Sequence, residues 1–160
     1  MKRFIFGSLV LVLLGLAVVG CDGTTTTETE EQLIQNVLNK NDKYMMQHDE
    51  AAAREIAKIF TTDEYIWRQS GKPDEVFNGE EIFQHFKEKF SKEIITENKT
   101  KIIKYTKSDD ATITANVSVY QEWRPNEQGS TTSKETGIRC IEFKKISNIW
   151  RIHIIELITS

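Results

Sequence analysis

The spacing of apolar residues in this chain changes near Ile94, from the repeat of about 3.6 residues that marks a helix to the two-residue repeat of a strand. The alternation is clearest from Ala111 to Trp123, where apolar residues occupy every second position and threonine, asparagine or serine lies between most of them. Three helical segments therefore come before a run of antiparallel strands. This order predicts an α+β fold in which the helices pack on a sheet.

Three helices are predicted in the first half of the chain. The first covers Glu30 to Gln47, and Asn41 interrupts its otherwise apolar face. The second begins after Asp49, whose carboxylate suits the N-cap position. The third begins after Asn78, which with Glu81 forms the pattern of a capping box. In that arrangement each side chain accepts a hydrogen bond from the backbone N–H of the other residue.

The strands are predicted from alternating residues and from the turns between them. A short strand covers Tyr65 to Trp67 and precedes a turn at Ser70 to Pro73. Ser147-Asn148 forms a tight turn between the last two strands. The remaining strands are predicted at Lys99–Thr106, Ala111–Trp123, Ile138–Lys145 and Ile149–Ile158.

The first 20 residues have the three parts of a secretory signal: a basic start, a charge-free apolar run and small residues before a break. The run from Phe4 to Val19 has 16 residues, fewer than the roughly 20 that a helix needs to cross a membrane. The string Val18-Val19-Gly20-Cys21 resembles the lipobox of bacterial lipoproteins. A plain signal peptide and an uncleaved anchor are the alternatives.

The lipobox resemblance implies that residues 1–20 are removed and that Cys21 becomes a lipidated N-terminus in a membrane outside the cytoplasm. Two or more acyl chains hold a protein stably on a bilayer, because each buried methylene contributes about 0.8 kcal/mol. Residues 21–30 are then predicted to form a polar tether. Asp22 implies retention at the inner membrane where sorting follows the enterobacterial pattern.

The charge of the chain disfavours nucleic acid as a partner. The formal net charge is −3 at pH 7, and it becomes −5 when Lys2 and Arg3 leave with the signal segment. The sequence contains no basic stretch that could follow a phosphate backbone. After lipidation of Cys21 only Cys140 keeps a thiol, so no intramolecular disulfide is expected, and Cys140 is interpreted as a buried, inert thiol.

Three strings resemble parts of the nuclear-transport-factor-2-like superfamily, in its SnoaL-like branch. They are the entry to the first strand at 60–67, the start of the third helix at 78–83 (Asn-Gly-Glu-Glu-Ile-Phe) and the last hairpin at 148–153 (Asn-Ile-Trp-Arg-Ile-His). The resemblance spans residues 31–158 and implies one domain, at 31–160, in which a curved antiparallel sheet wraps the helices into a cone around a pocket. The family includes ketosteroid isomerase, polyketide cyclases and dehydratases, and also pockets without catalysis, so the resemblance implies the fold and not the reaction.

The pocket that this fold implies is predicted to be lined by aromatic side chains and one arginine. Arg139 shares a strand face with Ile141 and Phe143, which places it inside the cone. The full set of predicted pocket residues is Tyr44, Tyr65, Trp67, Trp123 and Arg139. The alternative for the aromatic side chains is a structural role in the core and at the rim.

Two carboxylates are candidates for a general base, because proton transfer in such a pocket needs an acid whose pKa is raised by apolar walls. Glu156 shares a face of the last strand with Trp150, so it points inward if Trp150 does. Asp63 lies just before the first strand. The alternatives are a rim position for Glu156, solvated or paired with Arg139, and a turn or cap position for Asp63.

None of the three histidines has the spacing of a metal site, and no phosphate-binding or dinucleotide-binding motif occurs, so the sequence predicts no metal and no cofactor. His48 ends the first helix, where a capping or dipole role is expected. His85 flanks the apolar face of the third helix. His153 is placed opposite Trp150, on the outward sheet face through which relatives often dimerise, and is assigned to an interface.

Three functions stay open at this point, and the third is an assembly or immunity-type role in which the sheet face binds a partner and the pocket is vestigial. The first is a lipid-anchored module that binds a small apolar ligand or a protein partner without catalysis and forms a homodimer through its outer sheet face. The second is an isomerase, cyclase or hydratase with Asp63 or Glu156 as the base and Tyr65 or Arg139 as the oxyanion donor. We prefer the first, because the sequence does not force an acid and a base together.

Overall fold

Three helices come before most of a six-stranded sheet in the computed structural model of this chain, which describes residues 28–61 and 63–158. The signal segment, Cys21 and most of the predicted tether lie outside these residues. The elements are α1 (Glu30–Met45), α2 (Glu50–Ile59), β1 (Tyr65–Gln69), β2 (Glu75–Phe77), α3 (Gly79–Lys92), β3 (Glu93–Asp109), β4 (Thr112–Pro125), β5 (Ser133–Ile146) and β6 (Ile149–Ile158). The predicted α+β class is confirmed.

The helices begin where their capping residues predict. The Asp49 carboxylate accepts the N–H of Ala52 at 2.6 Å, and Asn78 and Glu81 form the predicted capping box of α3. Helix α1 ends at Met45, two residues earlier than predicted, and His48 beyond it has a φ of 55°. No helix among residues 28–61 and 63–158 has the length and apolar character needed to span a bilayer.

The strands form one curved sheet in the order β2-β1-β6-β5-β4-β3. Neighbouring strands are antiparallel except β1 and β6, which lie far apart in the chain and run parallel. Strands β3 and β5 begin earlier than predicted: β3 starts at Glu93 directly after α3, and the first residues of β5 are polar and lack a clear alternation. The three-residue strand β2 was not predicted, and it pairs with β1 through Tyr65 and Phe77.

The core lies between the inner face of the sheet and the three helices. Phe143, Ile113 and Ile152 contribute the sheet side and are fully buried. Ile34 and Leu38 of α1 contribute the helix side. Burial of each such side chain contributes about 1.5–3 kcal/mol relative to an exposed position, so this layer fixes how α1 crosses the sheet.

A β-bulge in β6 reverses the predicted orientation of its second half. Glu142 of β5 pairs with Ile154, but the next residue, Phe143, pairs with Ile152, which leaves His153 as the extra residue. Beyond the bulge Ile155 and Leu157 face inward, whereas Glu156 faces outward. The expectation that Glu156 shares the inward face of Trp150 was therefore wrong, because strict alternation does not survive an inserted residue.

The prediction that His153 lies at an interface was also wrong. His153 is buried within the domain, where its Nδ1 donates to the carbonyl oxygen of Glu64 at 3.0 Å and lies 3.3 Å from Thr61 Oγ1. The segment before β1 is held against β6 at this point by a hydrogen bond from Thr61 N–H to the Ile152 carbonyl at 2.9 Å. His153 thus fastens the segment between α2 and β1 to the last strand.

Candidate functional site

A cavity of about 460 Å³ lies between the inner face of the sheet and the helices, within the size range of small-molecule sites. Its apolar lining comes from α1 and α3, from Phe60 directly after α2, and from four strands. The apolar and aromatic lining residues are Met45, Phe60, Tyr65, Trp67, Phe77, Ile82, Phe86, Val119, Ile155 and Leu157. The cavity therefore has the walls that an apolar ligand requires.

One side of the cavity is a cluster of aromatic rings. The pairing of β1 with β2 places Tyr65 opposite Phe77, and their rings stack with centroids 5.9 Å apart. Phe60 meets Tyr65 edge-on at 4.5 Å and lies 6.0 Å from Phe86. Such contacts fix the rings against one another, so this aromatic wall is formed before any ligand arrives.

The other side is a polar wall that consists of Asn41, Asn98, Thr100 and Gln121. Behind it lies the buried carboxylate of Asp42, which accepts from Asn98 Nδ2 at 2.6 Å, from Thr100 N–H at 2.6 Å and from Thr100 Oγ1 at 2.8 Å. Asn98 Oδ1 in turn accepts from Gln121 Nε2 at 2.7 Å. One continuous set of hydrogen bonds thus orients three of the four lining side chains.

Asn41 is the exception in this wall. Its Oδ1 atom is buried and has no hydrogen-bond partner among the residues that the structure describes. A buried acceptor without a partner costs about 1–3 kcal/mol, so such groups call for an explanation. The residue that interrupts the apolar face of α1 in the sequence is therefore one that faces the cavity.

Four charged side chains also line the cavity, and each of the two cations forms an ion pair with a carboxylate. Lys89 lies 2.6 Å from a carboxylate oxygen of Glu93, and Arg139 lies 3.5 Å from Glu135. The Arg139 guanidinium also sits 5.6 Å from the centre of the Trp67 ring, within reach of a cation–π interaction. Glu75, in contrast, has no ion-pair partner in the described part of the chain.

Burial sets the protonation of the groups nearest the cavity. Desolvation raises the pKa of the Tyr65 hydroxyl far above its usual value, although the nearby Arg139 opposes the shift, so this hydroxyl stays protonated. Desolvation also raises the pKa of Asp42, and its hydrogen bonds from Thr100 and Asn98 act in the opposite direction. The pKa of His85 is lowered, first by desolvation against its aromatic neighbours and second by Lys89.

Three of the five residues that the sequence predicted for the pocket line this cavity: Tyr65, Trp67 and Arg139. Tyr44 and Trp123 pack against the core instead and are absent from the lining. Trp123 pairs with Ile95, near the end of β4 and past the polar wall. Tyr44 lies on α1 beside the face that carries Asn41, which is the face that meets the cavity.

The two candidate bases lie outside the cavity. Asp63 is exposed in the segment before β1. Glu156 has a side chain that is 45% exposed and lies 3.9 Å from Arg68, its neighbour on the outer face of β1. The predicted alternative of a solvated or paired rim position is what the structure shows for Glu156, but its partner is Arg68 and not Arg139.

The histidines do not assemble into a metal site, and no cluster of three or more potential ligands occurs among residues 28–61 and 63–158. Of the three, His85 reaches the cavity lining. His48 does not cap α1 as expected, because its Nε2 accepts the backbone N–H of Ile95 at 2.6 Å and so joins the segment after α1 to β3.

The lining residues that were not predicted are of two kinds. Phe60, Phe77 and Phe86 are absent from the predicted set, although aromatic side chains are the usual lining of small-molecule sites. Asn98 and Gln121 are polar residues at inward positions of strands, and only the register of β3 with β4 shows that they face each other.

Comparisons with known proteins support the fold. No protein-family model matches the chain. No curated protein matches it either. A ketosteroid isomerase-like protein from Erwinia carotovora atroseptica aligns with a TM-score of 0.62 at 12% identity, covering 83% of this chain and 100% of that one.

Two further solved structures show how varied such neighbours are. A hexachlorocyclohexane dehydrochlorinase aligns with a TM-score of 0.61 at 11% identity, covering 78% of this chain and 80% of that chain. An NTF-2 like protein of unknown function from Shewanella oneidensis aligns with a TM-score of 0.53 at 14% identity, covering 77% of this chain and 93% of that one. The chain therefore has the nuclear-transport-factor-2-like fold, and at this level of identity the likeness extends to the fold alone.

Proposed function

We propose that this domain binds a small, mainly apolar ligand in its cavity and performs no reaction on it. The observation that carries the proposal is an aromatic-walled cavity of about 460 Å³ from which both candidate bases, Asp63 and Glu156, are absent. Binding pockets of this kind combine apolar walls with a few polar groups that orient the ligand. The aromatic wall and the polar wall supply these two elements.

The remaining acids near the cavity are poorly suited to act as a general base. Both oxygens of Asp42 accept hydrogen bonds from Asn98 and Thr100, and Asp42 is not part of the lining. Glu75 and Glu135 line the cavity but are exposed to solvent, so neither carboxylate is enclosed by the apolar walls. The lack of an enclosed carboxylate at the lining favours binding over the isomerase, cyclase or hydratase alternative.

The membrane location is a second part of the proposal. Cys21 is proposed to carry the lipid, and the first described residue, Glu28, follows it after only six residues. The tether would hold the cavity close to the bilayer, which favours an apolar ligand that also resides there. Substitution of Cys21 by serine is expected to move the protein from the membrane to the soluble fraction, and a variant that stayed lipid-anchored would contradict this part.

Self-association is the third part. The outer face of the sheet exposes Ile138 and Ile158, which pair directly on β5 and β6. The partly buried Ile66 and Ile154 pair on β1 and β6 of the same face, and the row of Arg68, Glu156 and Cys140 lies between the two pairs. We propose that two copies of the chain associate through these four isoleucines, named here the outer isoleucine patch.

The binding proposal is tested with radiolabelled naphthalene and equilibrium dialysis against the full chain in lipid nanodiscs, with empty discs as the blank. The variant Phe77→Ala, which removes one ring of the aromatic wall, is expected to weaken binding about tenfold or more. Glu156→Gln is the matched control, since Glu156 lies outside the cavity, and it should bind as the unmodified chain does. Absence of binding above the blank to the unmodified chain would contradict the proposal.

A further inference from the structure

We infer that the ligand of this cavity carries a hydrogen-bond donor, a hydroxyl or an N–H group, on the end that meets the polar wall. The inference rests on the proposed function and makes it more specific, because it names the chemistry of the ligand's polar end. The inference rests on three residues, Asn41, Gln121 and the buried Asp42 behind them, and on the direction of the hydrogen bonds near them.

Asp42 fixes which way the neighbouring amides point. A carboxylate only accepts hydrogen bonds, so Asn98 must turn its Nδ2 toward Asp42 and its Oδ1 away from it. Asn98 Oδ1 then requires a donor, which Gln121 supplies through Nε2. The Gln121 carboxamide consequently keeps Oε1 as the atom that this relay does not use. Gln121 is a lining residue of the cavity, so the hydrogen bonds that begin at Asp42 end on a side chain with an acceptor atom that they do not use.

Asn41 adds a second acceptor to the same wall. Its Oδ1 is buried, makes no hydrogen bond to the described residues and belongs to a side chain that lines the cavity. Replacing both members of a hydrogen bond is often harmless, but a single buried acceptor without a partner is costly. A slight turn of the Asn41 side chain toward the cavity would let a donor on the ligand satisfy this atom, whereas an acceptor such as an ether oxygen would face another acceptor.

The charged side chains of the lining also favour a ligand with a neutral donor. Lys89 and Arg139 each have a carboxylate within reach, at 2.6 and 3.5 Å, while Glu75 has no ion-pair partner among the described residues. A ligand carboxylate would have to compete with Glu135 for Arg139 and would approach Glu75 and Asp42. A neutral donor avoids this repulsion, and a hydroxyl can also accept from Arg139.

The inference is tested with probes that share one apolar body. Equilibrium dialysis of the full chain in nanodiscs measures binding of 2-naphthol, 2-methoxynaphthalene and 2-naphthoate, with empty discs as the blank. We expect 2-naphthol to bind about tenfold more tightly than 2-methoxynaphthalene, since one satisfied hydrogen bond to a buried acceptor is of that order. We expect 2-naphthoate to bind most weakly.

Two variants of α1 locate the effect. Asn41→Leu removes the buried acceptor and is expected to abolish the preference for 2-naphthol while raising the midpoint of thermal unfolding, because the unsatisfied atom is gone. Asn36→Leu changes an exposed asparagine of the same helix and should keep the preference.

The results that would contradict the donor inference differ from those that would contradict the binding proposal. Equal affinity for 2-naphthol and 2-methoxynaphthalene, tighter binding of 2-naphthoate, or a preference that persists in Asn41→Leu would overturn the donor inference and leave the binding proposal standing. Binding of none of the three probes, together with none of naphthalene, would overturn both.

Discussion

Asp42 of α1 accepts two hydrogen bonds from the single residue Thr100 of β3, one from its backbone N–H at 2.6 Å and one from its hydroxyl at 2.8 Å. Because β3 is an edge strand, its outward backbone groups have no neighbouring strand to pair with. Gln35 of the same helix donates to the Thr100 carbonyl at 2.9 Å and accepts from the Ile102 N–H at 3.1 Å. Two side chains of α1 thus take the place of a missing strand.

Substitution of Asp42 by alanine is expected to lower the free energy of unfolding by about 2–4 kcal/mol, because it leaves the buried donors of Asn98 and Thr100 without an acceptor. Urea unfolding followed by tryptophan fluorescence measures the change. Glu31→Ala, an exposed acid on the same helix, is the control and should change stability by less than about 0.5 kcal/mol. A similar small effect for both variants would contradict the role assigned to Asp42.

The order of elements could be predicted from the sequence because it depends on local signals. Asp49 and Asn78 are N-cap residues that mark the starts of α2 and α3 locally. The alternation of apolar and polar residues in β4 persists over its whole length. The parallel pairing of β1 with β6 could not be predicted, because it is decided by residues about 90 positions apart.

The candidate site could be predicted only in part, for a physical reason that Glu156 shows. A single inserted residue at His153 exchanges the two faces of β6, and nothing in the local sequence marks the insertion. Asn41, in contrast, was visible as a break in an apolar helix face. Its function in the cavity wall could be recognised only when the partners of each polar atom were known.

His48 is expected to make stability depend on pH. Its Nε2 accepts the Ile95 N–H at 2.6 Å, which only the neutral ring can do, and desolvation lowers its pKa below the usual 6.5 although Asp49 opposes the shift. Below about pH 6.5 the unfolded chain therefore binds more protons than the folded chain, so the free energy of unfolding falls as the pH is lowered.

The variant His48→Asn isolates this contribution, because asparagine tolerates the positive φ of 55° and does not titrate in this range. Urea unfolding between pH 5 and 8 should show a shallower decline for the variant than for the unmodified chain. His85, whose pKa is also lowered, contributes equally to both curves. Identical slopes for the two proteins would exclude the role of His48.

The turn between β5 and β6 offers a stabilising substitution. Ser147 and Asn148 have φ values of 49° and 66°, as a type I′ hairpin turn requires, and Asn148 suits this conformation better than Ser147 does. The double substitution Ser147→Asn with Asn148→Gly is expected to raise the free energy of unfolding by about 0.5–1 kcal/mol through relief of left-handed strain. Thermal unfolding checks this, with Thr131→Asn in an exposed loop as the control. A loss of stability in the double variant would refute the assignment of strain.

The outer isoleucine patch makes a prediction about self-association. Ile138 and Ile158 pair directly and are 43% and 42% exposed, so a lysine at position 138 would place a charge within a buried interface. Sedimentation of the full chain in detergent is expected to show a dimer that Ile138→Lys weakens at least tenfold. Ile149→Lys is the matched control, because Ile149 is 56% exposed but lies at the opposite end of β6 from Ile158. A monomer at every concentration, or an equal loss in both variants, would show that the chain does not pair through this face.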